Sequence, residues 1–440
     1  MSIALLSIGD ELLRGEIINT NAQWLGEELT TLGGDVSAVE AVGDDVGRIA
    51  EAILRLGKTH EVVIATGGLG PTTDDCTAEA VATALSRPLE KSDGAREAIA
   101  RRLAERGRDM LAGHEKQAWF PRGATVLANP VGTAPGFALG IGDPGKGDDR
   151  GGTPAEAAGN QDGLGFSLYV LPGVPREMKA MFDRHLREAL IGAMDHDHHD
   201  AFLHTFGVGE SWVAQQLEGI GDAHPEVSLG FRASDGIVAV RISARTPAGG
   251  DARRRVQDAA GAIRERLGTA IFGEDAQSLP QLAGKVCRAR GWRLAVAESC
   301  TGGLIARRLT REPASDFFVG GAVTYANAAK TKLLGVSEDT LRGHGAVSAE
   351  VAAEMAEGAR RAFDCDVAIS VTGIAGPSGA TADKPLGLVH WAVSTPDGTT
   401  CEHRVFAGDR NQVQRHAANA SLDLLRRALT APRPSRPSRR

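Results

Sequence analysis

The sequence lacks the paired cysteines that build structural metal sites. Its 440 residues include five cysteines, and none of them belongs to a Cys-x-x-Cys pair. Zinc ribbons and fingers depend on such pairs, so the sequence gives no structural zinc site. An odd number of scattered cysteines is typical of a reducing compartment, and we expect a cytoplasmic location. The five residues are Cys76, Cys287, Cys300, Cys365 and Cys401.

Long apolar runs and an excess of positive charge are also missing. No hydrophobic stretch approaches the roughly 20 residues of a membrane span. The net charge of -7 argues against a general nucleic-acid coat and against binding to an anionic membrane surface. The first ten residues have no basic segment and turn acidic at Asp10, so we expect a strand and not a signal peptide. Nucleic acid and membranes are therefore not expected as partners.

The chain does contain alternating strand and helix patterns over its first 190 residues. A buried strand is predicted at 3–8 and another at 62–65, with a helix between them that Asn19 caps. Such alternation predicts an α/β domain with a parallel sheet, whose ligands bind at the carboxyl ends of the strands. The polar loops 9–21 and 66–75 leave two of those ends.

The loop at 66–75 has the composition of a phosphate site. Gly67, Gly68 and Gly70 free the backbone for close approach, and neighbouring threonines offer hydroxyl groups. Asp74 and Asp75 beside a phosphate would need a divalent cation, such as Mg²⁺, between them. A tight turn whose aspartate caps the helix from Thr77 is the alternative.

Two further small-residue loops occur at 129–136 and 171–177, the first of them containing Asn129 and Gly132. Residues 141–164 are rich in Gly, Asp and Ala without periodicity, which predicts a solvated insertion. A polar linker is predicted where His196, His198 and His199 occur; a metal site there is the alternative. The tail from Ala431 is expected to be disordered.

A small unit is predicted over 202–272, with a sheet that has one open face. Val238, Val240 and Ile242 alternate with other residues along one of its strands. No polar constellation stands out, so a connecting or dimerising domain is expected, and with it a homodimer.

The third predicted domain begins near Ser278 and contains the most distinctive chemistry. An apolar strand runs into Glu298 and a Gly-rich turn, and a helix follows. Such a helix start is an anion site. Tyr325 falls at a strand end, and Asn327 is the expected N-cap of the next helix, which places Lys330 in its first turn.

Lys330 can become a base if it loses its charge. The positive end of a helix disfavours an ammonium group, and burial disfavours it further. Neutral Lys330 could then take the proton of a serine hydroxyl, with Tyr325 relaying or orienting it, in a nucleophilic mechanism without histidine or metal. Spacing leaves Ser315 and Ser299 open as that serine. A solvated lysine and simple capping roles are the alternatives.

These residues resemble the CinA family. In the third domain the resemblance rests on Ala297–Gly303, Val323–Lys330, Gly345–Ser348, Thr372–Pro377 and Gly408–Arg410. In the first 190 residues, which resemble molybdopterin-binding (MogA-like) proteins, it rests on Gly9–Gly15, Asn19–Asn21, Thr66–Asp75, Asn129–Gly136 and Leu171–Glu177. The resemblance implies two α/β domains, 1–190 and 278–430, joined by a small α+β KH-like domain, 200–275, which lacks the Gly-x-x-Gly loop of RNA binders.

The resemblance also implies activities. The third domain would be a nicotinamide mononucleotide amidohydrolase with Ser315, Tyr325 and Lys330 as catalytic residues, without a cofactor. Its substrate contacts would be Glu298, Ser299, Thr301, Gly302, Gly303, Gly373, Ala375, Gly376 and Arg410. The first domain would be an ADP-ribose pyrophosphatase with Gly67, Gly68, Gly70, Asn129 and Gly132 at the nucleotide and a divalent metal (Mg, Mn or Co) on Asp10, Asp74 and Asp75.

Some positions depart from the family pattern, and a second class of function remains open. Ala326 and Ala328 stand where the family often has serine and glutamate. The alternative to an enzyme is a binding protein that holds a nucleotide or molybdopterin and regulates DNA uptake. Product formation would distinguish the two classes.

Overall fold

The computed structural model describes residues 1–140, 164–193 and 196–430. Contacts divide the chain into two compact units, Met1–His199 with Arg245–Arg253, and Asp200–Ala244 with Arg254–Arg440. The predicted insertion, apart from Leu164, and the predicted tail from Ala431 lie outside the described residues. No helix in the described ranges is both long and apolar enough to cross a membrane.

The first unit is built on a six-stranded sheet in the order β2-β1-β3-β8-β7-β6. Its strands, with the short pair β4 and β5, are β1 (Ser2–Ile8), β2 (Asp35–Val42), β3 (Val62–Thr66), β4 (Leu89–Lys91), β5 (Trp119–Pro121), β6 (Thr125–Leu127), β7 (Gly136–Leu139) and β8 (Ser167–Leu171). Its helices are α1 (Asp10–Leu13), α2 (Thr20–Thr31), α3 (Val46–Gly57), α4 (Thr77–Ala84), α5 (Asp93–Ala104), α6 (Ala112–Lys116), α7 (Pro175–Met181) and α8 (Arg187–Gly192), with a π-helical turn at Phe182–Leu186.

The sheet is mixed and not wholly parallel as predicted. β1 pairs in parallel with β2 and β3, and β3 with β8, whereas β7 runs antiparallel to β8 and β6. Because β7 is reversed, the loop that precedes it lies at the same edge as the carboxyl ends of β1, β3 and β8. The four small-residue loops therefore meet at one sheet edge, as expected for α/β ligand sites.

The middle of the chain forms an antiparallel sheet in the order β10-β11-β9-β12. Its elements are β9 (His196–Phe206), α9 (Glu210–Gln216), α10 (Ile220–Ala223), β10 (Val227–Ser234), β11 (Ile237–Pro247), α11 (Ala252–Leu267), a 3₁₀ turn (Gly268–Ala270) and β12 (Ile271–Glu274). The prediction of a polar linker at 196–199 is wrong, because β9 already begins at His196. The His196 ring nitrogen Nε2 lies 2.9 Å from the Gly33 carbonyl oxygen, a long-range contact that local composition does not reveal.

The third region contains a five-stranded sheet in the order β14-β13-β15-β16-β17. Its strands are β13 (Leu294–Glu298), β14 (Phe318–Val323), β15 (Val367–Gly373), β16 (Leu388–Thr395) and β17 (Gly398–Val405). Its helices are α12 (Leu279–Arg290), α13 (Leu304–Leu309), α14 (Asn327–Leu334), α15 (Glu338–His344), α16 (Ala349–Ala362) and α17 (Arg410–Thr430). β13 pairs in parallel with β14 and β15, so three strand ends open at one edge.

Candidate active site

The Gly-rich turn after β13 begins at a buried carboxylate. Glu298 is 1% exposed, and its side chain accepts hydrogen bonds from the Thr301 hydroxyl (2.6 Å) and from the backbone amides of Gly303 (3.0 Å), Ile305 (3.1 Å) and Ala306 (2.9 Å). These donors form the start of α13. The expected anion site at this helix start is therefore filled by the protein's own carboxylate, and Glu298 and Thr301 hold the turn in shape.

Lys330 lies at the next strand end, buried to 1% exposure. The helix α14 begins at Asn327 with Ala326 as its N-cap, one residue before the predicted cap, and Lys330 belongs to the first turn as predicted. The Nζ atom lies 2.9 Å from the Thr324 carbonyl oxygen, 3.3 Å from that of Tyr325 and 3.2 Å from Ser299 Oγ. Burial lowers the pKa of Lys330 from its ordinary value, which confirms the direction expected from the sequence.

Three oxygen atoms surround Nζ. The Nζ atom donates to the Thr324 and Tyr325 carbonyl oxygens and to Ser299 Oγ, which matches the three donors of an ammonium group. The two carbonyl oxygens can only accept, so a deprotonated amine would keep its two N–H groups on them and turn its lone pair to the Ser299 hydroxyl. The same contacts therefore accommodate both protonation states.

Ser315 is not brought to Lys330. It is an exposed residue in the connection before β14, whereas Tyr325 and Lys330 follow the other end of that strand. A six-residue strand spans roughly 20 Å, so a hydroxyl at its start cannot reach an amine beyond its end. The predicted grouping of Ser315 with Lys330 is corrected, because Ser299 supplies the serine hydroxyl at this amine.

Tyr325 has a different neighbour from the one expected. Its side chain is 61% exposed, and its hydroxyl accepts a hydrogen bond from Arg410 Nη2 at 2.9 Å. Arg410 Nη1 donates to the Gly376 carbonyl oxygen at 2.6 Å. Tyr325 therefore contacts Lys330 through its main chain, while its ring and Arg410 form an exposed polar wall beside the strand ends.

The thiol next to Ser299 is not a competing nucleophile. Cys300 is 4% exposed, and burial raises the pKa of its thiol to about 12, which keeps it protonated. Its carbonyl oxygen accepts Gln414 Nε2 at 2.7 Å, a contact from the first turns of α17. The backbone amides of Cys300 and Thr301 donate to no backbone carbonyl in the described part of the chain.

The remaining predicted contacts in this region lie around the same strand ends. Gly302 and Gly303 have φ of 62° and 98° and complete the turn after Ser299. Ala375 is buried in the core. At Gly373 an added Cβ would lie 2.7 Å from Val389 Cγ2, so this glycine allows two strands to approach closely.

In the first unit, the glycines of the 66–75 loop serve close backbone packing. An added Cβ would lie 2.1 Å from the Ile8 carbonyl oxygen at Gly67 and 2.1 Å from Thr77 Oγ1 at Gly68. At Gly70 it would lie 2.4 Å from the Asp75 carboxylate. The loop is thus pressed against the end of β1, at the sheet edge where a ligand is expected.

Asn129 and Gly132 shape the neighbouring loop. The Asn129 side chain accepts from the amides of Val131 (2.9 Å) and Gly132 (2.7 Å) and donates to the Ala134 carbonyl and the Glu177 carboxylate. Its hydrogen-bonding groups are therefore used inside the protein. A Cβ at Gly132 would lie 1.9 Å from Glu177 Oε2, so a larger residue there would displace the Glu177 carboxylate from its bond with Asn129.

The carboxylates predicted to hold a metal do not form a ligand set. Asp10 pairs with Arg14 at 2.6 Å, and Asp75 accepts the amide and hydroxyl of Thr72. Among the described residues no group of three or more His, Cys, Asp or Glu side chains could hold a metal ion. The arrangement does not fit the predicted divalent ion. The bonds from Thr72 to Asp75 close a tight turn, as in the alternative, but no aspartate caps the helix from Thr77, because α4 has Cys76 at its N-cap without a side-chain hydrogen bond.

Three residues near these sites were not predicted from the sequence. The Thr324 carbonyl holds Lys330, and Gln414 fixes the turn after Ser299. In the first unit the pKa of Asp44 is raised, chiefly by burial and also by the nearby carboxylates of Glu11, Asp10 and Asp74. A strand-end position signals Thr324, but Gln414 and Asp44 come from distant segments and carry no local signal.

Comparisons with known proteins cover nearly the whole chain. Family models match residues 276–429 (CinA C-terminal domain), 4–191 (probable molybdopterin binding domain) and 201–273 (damage-inducible protein CinA KH domain). A CinA-like protein of Anaeromyxobacter sp. (strain Fw109-5) is 39% identical, with 98% of this chain and 99% of that protein covered. A putative competence-damage inducible protein of Moorella thermoacetica is 40% identical, with 96% and 97% covered.

Solved structures match shorter parts of the chain. The competence/damage inducible protein CihA from Agrobacterium tumefaciens is 38% identical, with 35% of this chain and 96% of that chain covered, at a TM-score of 0.33.

Proposed function

The chain belongs to the CinA family, and from that membership we propose that its third region hydrolyses nicotinamide mononucleotide to nicotinate mononucleotide and ammonia. The observation that carries the proposal is the buried Lys330 amine 3.2 Å from Ser299 Oγ. An amine of lowered pKa beside a serine hydroxyl is the pair that an amide-cleaving nucleophile needs.

Ser299 attacks the carboxamide carbon as Lys330 takes the hydroxyl proton. A bond forms between Oγ and that carbon, and the carbonyl oxygen becomes an oxyanion. The backbone amides of Cys300 and Thr301 donate to no backbone carbonyl among the described residues. Both residues directly follow Ser299 in the chain, so their amides would donate to this oxygen. Donors of this kind, on the residue after the nucleophile, are worth several kcal/mol in related acyl-transfer chemistry.

The second half of the reaction returns the proton. The carbon–nitrogen bond breaks, and the Lys330 ammonium gives its proton to the departing nitrogen, which leaves as ammonia. Water then attacks the ester on Ser299 while Lys330 accepts a proton from the water. Lys330 returns this proton to Ser299 Oγ as the ester bond breaks, and the carboxylic acid product releases its own proton to solvent, which leaves the nicotinate carboxylate, the Ser299 hydroxyl and neutral Lys330.

Arg410 is the group in this site suited to the 5′-phosphate of the substrate. Its guanidinium is oriented by the Tyr325 hydroxyl and the Gly376 carbonyl, and it lies at the partly exposed wall of the site. Guanidinium groups bind phosphate through paired hydrogen bonds. The phosphate at Arg410 would leave the carboxamide end free to reach Ser299.

The test is product analysis with the full chain and nicotinamide mononucleotide as substrate. Equal amounts of ammonia and nicotinate mononucleotide are expected, without added metal and without inhibition by a chelator. No ammonia at any enzyme concentration would contradict the proposal.

For the first unit we propose nucleotide binding at the shared edge of the 66–75 and 171–177 loops, with ADP-ribose as the ligand and hydrolysis to AMP as the activity to be measured. The close backbone packing at Gly67 supports a site where a pyrophosphate can approach the main chain. No step is assigned to a metal, because the carboxylates there do not form a ligand set.

AMP formation from ADP-ribose, measured with and without a chelator, distinguishes the possibilities for the first unit. Activity that a chelator removes would require a rearrangement of Asp10, Asp44 or Asp74 around a divalent ion. Binding of ADP-ribose without AMP formation would favour the alternative of a nucleotide-binding regulatory protein, in keeping with relatives described as competence-damage inducible.

A further inference from the structure

A cavity of about 600 Å³ in the second unit is separate from the candidate active site. It lies between the β10–β11 hairpin, the segment entering α12 and the end of α13. This volume is within the range of small-molecule sites in proteins. Apolar surface comes from Phe272, Phe317, Leu279 and Leu309, and the polar surface is dominated by arginine.

Four arginines line this cavity against two carboxylates. The arginines are Arg232, Arg288, Arg308 and Arg311, and the carboxylates are Asp235 and Glu312. Both carboxylates already have donors within the protein. Asp235 accepts Arg415 Nε at 2.7 Å, and Glu312 accepts Gln281 Nε2 at 2.7 Å. The lining therefore has an excess of positive charge.

Arg308 differs from Arg288 in being held by neutral acceptors. Its Nη1 donates to Asn419 Oδ1 at 2.5 Å and to the Arg415 carbonyl oxygen at 3.4 Å, both neutral acceptors. Asn419 is itself held, since its Nδ2 donates to the Asp235 carbonyl at 2.9 Å. Burial lowers the pKa of the Arg308 guanidinium, and within the described residues no carboxylate lies at ion-pair distance from it.

Two other arginines, Arg288 and Arg311, add positive charge to the cavity lining. Arg288 pairs with Asp316 at 2.5 Å and stacks over the Phe317 ring, 4.6 Å from its centroid. Arg311, two residues after the end of α13, is exposed and lies at ion-pair distance from no carboxylate in the described ranges. Arg308 is partly buried, and its nearest carboxylates, Asp235 and Glu298, lie beyond ion-pair distance, so an anionic ligand would offset part of the cost of burying its charge.

We propose that this cavity binds an organic phosphate of nucleotide size, with the phosphate on Arg308 and Arg311 and the planar group against the Phe272 and Phe317 side. Arginine forks bind phosphate in a bidentate manner, and apolar and aromatic walls suit a heterocyclic ring. The site is distinct from the strand ends that carry Ser299 and Lys330, so the proposal does not depend on the deamidase reaction.

The experiment is hydrogen exchange of the full chain with and without 5′-AMP, read by peptide. In the wild-type protein AMP should slow exchange in 276–290 and 304–313, the segments that line the cavity. In Arg308→Gln and in Arg311→Gln the AMP concentration for half-maximal protection of these segments should rise about tenfold or more, since each loses a charge-assisted hydrogen bond. Arg311 is exposed, so Arg311→Gln keeps the test valid if Arg308→Gln is unstable.

Arg342→Gln is the matched control, because Arg342 is an exposed arginine paired with Glu338 and Asp339 outside this cavity. It should leave the protection by AMP unchanged. Excess inorganic phosphate should compete with AMP in the wild-type protein. The proposal fails if saturating AMP leaves exchange in the two segments unchanged, or if the arginine variants respond to AMP as the wild type does.

Discussion

The Glu298 carbonyl oxygen accepts the backbone amide of Thr324 at 2.7 Å. This bond joins the ends of β13 and β14, so the residue that precedes Ser299 is fixed to the residue whose carbonyl holds Lys330. The serine hydroxyl and the lysine amine belong to segments 31 residues apart, yet their separation is set by main-chain hydrogen bonding. Ser299 and Lys330 are therefore held as a rigid pair, and a change in the position of one is expected to affect the other.

Ser299→Ala should reduce ammonia release from nicotinamide mononucleotide by at least about a thousandfold, because it removes the attacking oxygen. Ser315→Ala should keep wild-type activity, since Ser315 is exposed at the other end of β14. Initial rates of ammonia formation, with circular dichroism to verify folding, check both. Loss of activity in Ser315→Ala alone would restore the assignment that the geometry rejects.

Lys330→Met should change the pH dependence of stability. Burial lowers the pKa of Lys330 in the folded protein below its ordinary value of 10.5. Between these two pKa values the unfolded chain binds the proton more tightly than the folded protein does. The contribution of Lys330 to the free energy of unfolding is therefore complete above pH 10.5 and is lost as the pH falls through the lowered pKa.

The free energy of unfolding from urea denaturation between pH 7 and pH 10 measures this effect. Wild type minus Lys330→Met should rise with pH across the interval. Lys332→Met, an exposed residue of the same helix, should show no such slope. If the difference in the free energy of unfolding between wild type and Lys330→Met does not change with pH, the pKa of Lys330 is not lowered in the folded protein.

Glu298→Ala should destabilise the second unit by about 3 kcal/mol, because the amides of Gly303, Ile305 and Ala306 would lose their shared acceptor. Thr301→Ser, which keeps the hydroxyl donor, should cost far less. Urea unfolding gives the free energies, and deamidase rates at saturating substrate should fall in Glu298→Ala as the Ser299 turn loosens. Equal stability of Glu298→Ala and wild type would refute the capping role.

Arg410→Gln should raise KM for nicotinamide mononucleotide about tenfold or more, since a charge-assisted contact to phosphate is lost. Nicotinamide riboside, which has no phosphate, should react equally well with both proteins. Arg404→Gln, an exposed arginine on β17, is the control. An equal loss with both substrates would assign Arg410 to the chemistry and not to the phosphate.

Gly67→Ala should destabilise the first unit by about 3 kcal/mol or more, because φ is +111° and the new Cβ would lie 2.1 Å from the Ile8 carbonyl oxygen. Gly26→Ala is the matched control. Gly26 lies inside α2 with nothing within 4 Å of an added Cβ, so the change should stabilise by up to about 1 kcal/mol. Hydrogen exchange in β1 and β3 reports on this unit, and unchanged exchange in Gly67→Ala would contradict the packing argument.

The sequence predicted those features that depend on residues close together in the chain. Asn19 caps α2 as expected, its side chain accepting the Ala22 amide, and Lys330 lies in a first helical turn. The choice between Ser299 and Ser315 could not be made from spacing, because β14 separates the two in space although Ser315 is nearer to Lys330 along the chain. The start of β9 at His196 likewise depends on a contact with Gly33 that no nearby residue signals.

The occupied helix start beyond Ser299 has a consequence for the direction of substrate entry. The Glu298 carboxylate already neutralises the amides that would otherwise attract an anion. A phosphorylated molecule therefore gains nothing by placing its charged end there, and the arginine at the rim offers the better position. Under the proposed function, the carboxamide end of the substrate would therefore enter first, and its phosphate would stay at the entrance beside Arg410.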